Sequence, residues 1–231
     1  MTRLANVEKA GYFPLPANVT NFIATHITAP HGGRLLDPCT GKGAALVTLA
    51  EKLNLRPFGI ELHQQRAQAA KTAVAQLLTN QPSIGQITAA SSTLSTGHVL
   101  HDSYQNLLTN RHAYNRLLLN PPSDRDEADG RLEYQWLVHT RPWLQPDGLL
   151  IWVVPQHLLR FRKATRYLLA WYDQLTIYRF PDDSYDRFHQ IVIFGTRRTK
   201  SIPPDGEQVD TLANKATSRD ALPPLARCSE P

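Results

Sequence analysis

An asparagine followed by two prolines lies at the end of an apolar run in this chain of 231 residues. Asn120-Pro121-Pro122 follows directly on Leu117-Leu118-Leu119. The side-chain oxygen of Asn120 and the backbone carbonyl of Pro121 can each accept an N–H bond, and consecutive prolines stiffen the loop that carries both acceptors. Two fixed acceptors suit a flat conjugated amine, because they draw its delocalised lone pair out of plane. Taken alone, the motif is equally typical of a turn after a strand.

A glycine-bearing segment, Leu36-Asp37-Pro38-Cys39-Thr40-Gly41-Lys42-Gly43, follows an earlier apolar run. Gly41 and Gly43 allow the backbone to approach a ligand closely, and the helix predicted after them offers its first N–H groups to a carboxylate. Asp37 is placed to accept an ammonium group. These features predict a binding loop for a zwitterionic ligand.

Two other ligand classes fit this loop poorly. Lys42 lies between the glycines and no Gly-Lys-Ser/Thr follows, which argues against a Walker phosphate loop. Leu46 occupies the third glycine position of a dinucleotide fingerprint, which argues against NAD. Together, the two motifs indicate methyl transfer from S-adenosylmethionine to an amino group conjugated to a ring or carbonyl. Such a transfer needs no strong base, because positioning and electrostatic stabilisation carry the rate.

Apolar strands alternate with helical patterns, which predicts a Rossmann-like, doubly wound α/β sheet. Strands are predicted over residues 34–37, 58–61, 98–101, 116–119, 149–154, 175–180 and 190–195, the last two as an antiparallel pair. Helices are predicted over residues 17–27, 44–53, 63–78, 133–144 and 163–172, with a turn at 146–148 and a loop at 80–97. Both motifs then fall at carboxyl ends of parallel strands, where open α/β sheets bind ligands.

Two more carboxylates follow predicted strands. Glu61 ends the second strand at the distance from the glycines at which an acid commonly binds ribose hydroxyls. Asp102 follows the third strand, where it is placed to accept from the exocyclic amine of an adenine. Each has a plain alternative as a surface carboxylate at a strand end.

The motifs resemble those of class I S-adenosylmethionine-dependent amino-methyltransferases, most closely the adenine-specific DNA methyltransferases and their uncharacterised bacterial relatives. In chain order they are the Leu36-to-Gly43 loop, Gly59-Ile60-Glu61, Asp102 and Asn120-Pro121-Pro122. The resemblance covers residues 10–197. It implies a seven-stranded sheet, mostly parallel with an antiparallel last strand. It also implies S-adenosyl-L-methionine as cofactor and a nucleic acid, DNA first, as substrate.

The resemblance assigns roles to individual residues. It implies catalytic roles for Asn120, Pro121, Pro122 and Ser123. It implies cofactor binding by Tyr12, Phe13, Pro14, Asp37, Pro38, Cys39, Thr40, Gly41, Gly43, Glu61, Asp102 and Asn120. The opening aromatic and proline residues of that set are expected to close over the methionine end of the cofactor.

One departure from the family pattern concerns the target base. The family motif ends in an aromatic residue that stacks on the flipped base, a contact of about 1–3 kcal/mol, whereas this chain continues with Ser123 and Asp124. Tyr134, Trp136 and Phe188 are the candidates for supplying that ring from elsewhere. Only the segments 80–97, 123–131 and 181–189 offer room for target recognition, so we expect low sequence specificity or a partner protein that supplies it.

Charge favours a polyanionic partner without proving one. Lys and Arg number 25 against 20 Asp and Glu, a net charge of +5. Two basic clusters stand out: Arg160, Arg162, Lys163 and Arg166, interleaved with Phe161 and Tyr167, and then Arg197, Arg198 and Lys200. They suit phosphates and base stacking, although solvated faces would fit equally. A nucleic-acid enzyme predicts that both clusters share one face with Asn120.

Composition excludes several other classes. With two cysteines and no zinc-ligand spacing, neither a disulfide framework nor a metal site is expected. The longest apolar stretch, residues 149–154, is too short to span a bilayer, and no secretory signal opens the chain, so a cytoplasmic location is expected. We expect a cofactor-closing segment over 1–16, a methyltransferase domain over 17–198 and a disordered, proline-rich tail over 199–231.

Three functions therefore remain after the sequence is considered. The first is an adenine methyltransferase acting on DNA. The second keeps the chemistry but acts on RNA or on a protein glutamine amide. The third is a catalytically silent, nucleic-acid-binding relative, which the missing aromatic after Asn120-Pro121-Pro122 makes credible.

Overall fold

The computed structural model describes residues 13–81, 84, 98–122 and 132–226. Its strands are β1 (Arg34–Asp37), β2 (Arg56–Glu61), β3 (His98–His101), β4 (Tyr114–Leu119), β5 (Leu144–Pro155), β6 (Tyr172–Arg179) and β7 (Gln190–Arg197). Its α-helices are α1 (Ala17–Thr25), α2 (Ala44–Lys52), α3 (Gln64–Asn80), α4 (Leu132–Thr140), α5 (Arg162–Trp171), α6 (Asp182–Phe188) and α7 (Gly206–Asn214). No helix in these ranges is long and apolar enough to cross a membrane.

The strands form one seven-stranded sheet in the order β3-β2-β1-β4-β5-β7-β6. Every pairing from β3 through β5 is parallel, and β7 runs antiparallel to both β5 and β6. The predicted doubly wound α/β sheet with its antiparallel last strand is therefore confirmed. Chain order reverses between β1 and β4, and such a switch point opens a crevice at the carboxyl ends of the two strands.

The leucine run of β4 explains why this strand lies at the centre of the sheet. Leu117 and Leu119 are fully buried in the cluster on one face, and Leu118 is buried in the cluster on the other. Because successive side chains of a strand point to opposite faces, an unbroken apolar run requires cover on both sides. Helices supply that cover, and the buried strand in turn fixes the point at which the loop that starts at Asn120 leaves the sheet.

Two predicted boundaries are wrong for identifiable reasons. The helix predicted over 133–144 ends at Thr140 and passes into a 3₁₀ turn, Arg141–Trp143, because Pro142 has no N–H to continue an α-helix. The predicted turn at 146–148 lies inside β5, where Asp147 has a φ of 60° and the pairing with β4 shifts register. That irregularity lets the strand continue past Pro146.

The prediction of a disordered tail is wrong for residues 199–226. Helix α7 begins with a capping box in which Asp205 accepts from the backbone N–H of Gln208. Val209 and Leu212 are buried on its inner face, and Leu222 and Leu225 are buried beyond it. Prolines flank the helix without interrupting it, so the proline content that suggested disorder marks the boundaries of an ordered element. Most of the predicted 80–97 loop lies outside the described residues.

We predict that Leu225→Ala lowers the free energy of unfolding by about 2–5 kcal/mol, the usual cost of truncating a buried leucine. Chemical denaturation of the purified protein measures this difference. Ile202→Ala is the matched control, because Ile202 lies in the same tail with 56% of its surface exposed. If neither substitution changes the free energy of unfolding, the tail is disordered, as its composition suggests.

Candidate active site

A cavity of about 290 Å³ opens where the carboxyl ends of β1, β2 and β4 meet. Predicted site residues that line it are Phe13, Pro14, Asp37, Pro38, Cys39, Thr40, Glu61, Asp102, Asn120 and Pro122. Further lining residues that the sequence did not single out include Leu62, His63, Arg66, Tyr104 and Leu132. Tyr12 and Ser123 lie outside the described residues. The predicted residues that line the cavity thus surround one space, although their motifs are far apart in the chain.

The glycine loop turns tightly between β1 and α2. Gly41 and Gly43 have φ values of 58° and 85°, a region that side chains rarely allow. The N–H of Gly43 donates to the carbonyl of Thr40 at 2.9 Å. A Cβ on Gly43 would lie 3.0 Å from the Cα of Ala70 in α3, so the glycine also permits close packing of this helix. The two glycines shape the loop from behind and do not line the cavity.

Asp37, the last residue of β1, brings a carboxyl into a nearly dry position. It is 3% exposed and accepts the backbone N–H of Cys39 at 3.1 Å. The pKa of Asp37 is raised from 3.8 to about 7, mainly by burial and to a lesser degree by the nearby Glu61, although hydrogen bonds from Cys39 and Thr40 act in the opposite direction. A carboxyl in this state gains charge readily when a cation enters beside it.

Glu61 ties the glycine loop to the start of α3. Its Oε2 accepts the N–H of Gly41 at 2.9 Å, and its Oε1 accepts the N–H of His63 at 2.8 Å. Arg66 donates to Oε1 from Nε at 3.0 Å and from Nη2 at 2.8 Å. Oε1 is therefore crowded, whereas Oε2 keeps capacity for a ligand hydroxyl. The sequence signal that could have predicted this contact is the spacing of Arg66, five residues after Glu61 and on the helix that follows it.

Asp102 and two aromatic rings form the far end of the cavity. The Asp102 carboxylate accepts the N–H of Ser103 at 2.7 Å and Nδ2 of Asn106 at 2.8 Å, and the Asn106 bond is the main cause of its lowered pKa. Tyr104 stacks on Trp136 with ring centroids 3.6 Å apart and planes 22° apart. Both rings line the cavity. Trp136, one of the candidate rings for the target base, therefore lies in the first cavity and packs against Tyr104.

Asn120 is held by the segment that precedes α1. Its Nδ2 donates to the backbone carbonyl of Phe13 at 3.0 Å. Because an amide has its donor and acceptor on opposite sides, this bond fixes the direction in which Oδ1 points. Phe13 and Pro14 line the cavity beside it, as the predicted closing segment requires.

A second cavity of about 180 Å³ lies on the other side of the Asn120-Pro121 loop. It shares Asn120, Phe13, Pro14 and Leu15 with the first cavity. Its remaining lining residues are Pro16, Pro121, Val153, Phe180, Arg187, Phe188 and Gln190. Of the three candidate rings, Phe188 alone lines this cavity, since Tyr134 packs against Phe161 and Tyr167. Asn120 thus lines both cavities, the first of which contains the carboxyl groups of Asp37 and Glu61 and the second the ring of Phe188.

The first basic cluster lies at the edge of the sheet that carries Asn120. Arg160 ends a 3₁₀ turn that directly follows β5, and Lys163 and Arg166 lie in the first half of α5. All three are exposed, as is Arg162, which is ion-paired with Asp210. The amino group of Lys163 lies 5.2 Å from the ring centre of Tyr134. This cluster keeps cations and rings together near the site.

The second basic cluster lies at the opposite edge, so the prediction that both clusters share one face with Asn120 is wrong. Because β7 runs antiparallel, its end at Arg197 is far from the carboxyl ends of the parallel strands. Arg197 is buried and donates to the carbonyl of Leu144, and Arg198 is ion-paired with Asp173 at 3.0 Å. These side chains stabilise the fold. Across the described ranges, no three His, Cys, Asp or Glu side chains are grouped as metal ligands.

Residues 1–231 match the model of a family described as an uncharacterised methyltransferase family, DUF6094. The chain belongs to this methyltransferase family. No curated protein matches the sequence of this methyltransferase. The cavity beside Asn120 lies at the switch point of the sheet, which is where this topology predicts a ligand.

Solved structures share the fold of this methyltransferase at low identity. A Listeria monocytogenes protein described as a class I S-adenosylmethionine-dependent methyltransferase is 13% identical, with a TM-score of 0.60, over 95% of this chain and 76% of its own. A Streptococcus thermophilus type I restriction-modification methyltransferase subunit is 14% identical, with a TM-score of 0.59, over 90% of this chain and 53% of its own. M. jannaschii TYW2, solved with AdoMet, is 10% identical, with a TM-score of 0.52, over 84% of this chain and 80% of its own.

We predict that Asp37→Asn stabilises the ligand-free protein increasingly as the pH rises. The folded-state pKa of Asp37, about 7, exceeds its ordinary value of 3.8, so the wild type loses stability across that interval while the amide does not. A shift of this size corresponds to on the order of 4 kcal/mol above neutral pH. Urea denaturation at several pH values measures the difference.

Asp102→Asn is the matched control for this experiment. Asp102 is exposed and its pKa is lowered, so its amide variant should gain no stability as the pH rises. If wild type and Asp37→Asn keep the same stability difference between acid and neutral pH, Asp37 is not a buried carboxyl with a raised pKa.

Proposed function

We propose that this chain transfers a methyl group from S-adenosyl-L-methionine to an exocyclic amino group, with adenine in DNA as the acceptor. The observation that supports this most strongly is the position of Asn120. Asn120 lines both a cavity that contains two buried carboxyl groups and a second cavity whose lining includes the rings of Phe13, Phe180 and Phe188. A transfer between two ligands requires such an arrangement, because the donor and the acceptor must meet at one point.

The first cavity matches the chemistry of the proposed cofactor. Asp37 is placed for the methionine ammonium, and the N-terminal N–H groups of α2 for the methionine carboxylate. Glu61 is placed for the ribose hydroxyls through Oε2, and Tyr104 with Trp136 forms a flat wall for the adenine near Asp102. When bound, the cofactor supplies an activated methyl group. The residues present therefore fit this group in both charge and shape.

Asn120 and Pro121 act on the acceptor amine. Oδ1 of Asn120 and the carbonyl of Pro121 accept its two N–H bonds and turn the nitrogen lone pair towards the first cavity. As the nitrogen becomes positive, the same two oxygens stabilise the charge, because they are already oriented. Transfer of the methyl group to nitrogen breaks the carbon–sulfur bond and leaves the donor as a neutral thioether, and the nitrogen then loses one proton to solvent. The Phe13 carbonyl keeps the Asn120 amide in the required rotation throughout.

The second cavity supports a planar aromatic acceptor. Phe188 and Phe13 bring two rings to a space lined also by proline and valine, which suits the faces of a base. In this proposal Phe188 replaces the aromatic that the motif lacks at Ser123.

DNA is the favoured acceptor for two reasons. Arg160, Lys163 and Arg166 offer cations at the same edge of the sheet for phosphates. Several similar structures are methyltransferase or modification subunits of type I restriction-modification systems. The chain spans about half the length of the Streptococcus thermophilus subunit, 53%. We therefore keep in the proposal a partner protein that adds sequence recognition.

We predict that Asn120→Ala reduces methyl transfer by about 10²–10³-fold, the usual cost of losing one preorganised group at a developing charge. Its cofactor affinity should stay within about twofold of wild type, because the amide acts on the acceptor. Radiolabelled S-adenosylmethionine, incubated separately with unmethylated DNA, RNA and protein extract, measures transfer, and calorimetry measures binding. Asn110→Ala is the control, since exposed Asn110 lines neither cavity.

Each outcome of that assay selects one function. Methyladenine in DNA supports the proposal, whereas label in RNA or protein replaces DNA as the acceptor. Cofactor binding without label in any fraction identifies a catalytically silent relative. Equal loss of transfer and cofactor affinity in Asn120→Ala would remove Asn120 from its acceptor-binding role.

We predict that cofactor affinity depends on pH through Asp37. Only the ionised carboxylate attracts an ammonium, and the pKa of Asp37 is about 7, so affinity should fall about tenfold per unit as the pH drops well below neutrality. Calorimetric titration between about pH 5.5 and 7.5 measures this slope. Asp37→Asn should bind weakly at every pH and show no slope, and a wild-type affinity that is flat with pH would assign the ammonium to another group.

A further inference from the structure

Helix α6 carries Arg187 and Phe188 into the second cavity, yet it has only seven residues. The helix is followed by His189, which has a φ of 49°, and β7 begins at the next residue. A helix this short gains too few hydrogen bonds to hold its own position, so its placement depends on tertiary contacts. Those contacts come from Gln156, from Arg179 and from Arg219, the last of which lies in the segment 215–226 that we call the C-terminal clasp.

A buried polar relay joins α6 to the clasp. The hydroxyl of Tyr185, in the middle of α6, donates to Oε1 of Gln156. Nε2 of Gln156 donates to the carbonyls of Lys215 at 2.6 Å and Ser218 at 2.9 Å. Tyr185 and Gln156 are 7% and 4% exposed. A satisfied polar relay in a buried position specifies one arrangement of its partners, because every other arrangement leaves a buried group unpaired.

Arg219 of the clasp adds a second connection to the same helix. Its guanidinium donates to Asp182 at 2.5 Å and to Asp186 at 2.6 Å, and it lies 5.7 Å from the ring centre of Tyr185. Arg179 at the end of β6 also pairs with Asp182, at 2.5 Å. Single exposed ion pairs contribute little, but this network joins three elements around one buried ring.

The clasp is anchored through its own backbone. The N–H of Arg179 donates to the carbonyl of Pro223 at 3.0 Å, and the N–H of Leu225 donates to the carbonyl of Arg179 at 2.8 Å. These bonds attach the clasp beside the last residue of β6, directly before α6. Leu222 and Leu225 are buried there at 2% and 1% exposure. The clasp is therefore fixed to the sheet independently of the helix that it holds.

We propose that α6 and the C-terminal clasp together form the element that selects the methyl acceptor, with Tyr185, Gln156 and Arg219 as positioning residues. The inference rests on the proposed function and deepens it, since it assigns the shape of the acceptor cavity to a segment outside the two motifs. By holding α6, the clasp sets the distance from Phe188 to Asn120. The acceptor is a purine with an exocyclic amine, held with its ring against Phe188.

The test compares Tyr185→Phe, Arg219→Ala and Arg219→Lys with wild type in the full chain. The acceptor probe is a single-stranded oligodeoxynucleotide that contains 2-aminopurine, and calorimetry gives the cofactor affinity. Arg198→Ala is the matched control, because it removes an ion pair of the same kind from the opposite edge of the sheet. Hydrogen exchange of the 182–189 backbone reports the position of α6 without relying on activity.

Tyr185→Phe and Arg219→Ala should weaken probe binding about tenfold or more and speed exchange in 182–189, while cofactor affinity stays within about twofold. Arg219→Lys should recover part of the binding, and Arg198→Ala should match wild type. Unchanged probe affinity in both variants, or equal loss of probe and cofactor affinity, would overturn the inference. A wild type that does not bind the probe would overturn it as well.

Failure of the inference and failure of the proposed function give different results. If wild type transfers methyl groups but the variants bind the probe normally, the function stands and the clasp does not select the acceptor. If wild type binds the probe but transfers no methyl group to any substrate, and both variants bind the probe more weakly, the clasp retains its role and the proposed activity is wrong.

Discussion

The parallel pairing of β1 with β4 brings together the two loops that carry the candidate chemistry. Leu35 and Leu36 pair with Arg116 and Leu117, so the chain beyond Asp37 and the chain from Asn120 leave the sheet side by side. The two strands are not consecutive in the chain. Their pairing joins the half of the sheet formed by β1 to β3 with the half formed by β4 to β7. With these strands paired, the glycine loop after β1 lies beside the loop after β4. Asn120, at the start of that second loop, lines both cavities.

Local signals were sufficient for the elements that build this crevice. The apolar run before Asp37 predicted β1 with its observed bounds, and the unbroken Leu117-Leu118-Leu119 run predicted a strand buried on both faces. The motif order placed Asp37, Glu61, Asp102 and Asn120 around one space. These predictions depend on strand patterns and on chain direction at strand ends, which a sequence carries directly.

Other features depend on contacts that no local pattern carries. Helix α6 is too short for a periodic signal, and its order comes from Gln156 and Arg219, which are distant in sequence. The basic residues at Arg197 and Arg198 look like a phosphate-binding cluster until the direction of β7 places them at the other edge. The tail was predicted to be disordered from its proline content, but its prolines lie on either side of α7 and none lies within the helix. In each case the deciding fact is the position of a partner element.

Burial of Asp37 lowers the stability of the ligand-free protein at neutral pH and, for the same reason, favours binding of a cation. A carboxyl that is 3% exposed has its pKa raised to about 7, so keeping it ionised at neutral pH costs the ligand-free protein free energy. A cation in the cavity would recover that free energy, because it gives the carboxylate a partner where little water competes. Glu61 differs, since Arg66 already pairs its charge and the N–H groups of Gly41 and His63 hold its two oxygens, which leaves Oε2 able to accept only one further hydroxyl. The two carboxylates thus divide the work: Glu61 maintains the loop in its shape, and Asp37 is the group whose charge responds to what enters.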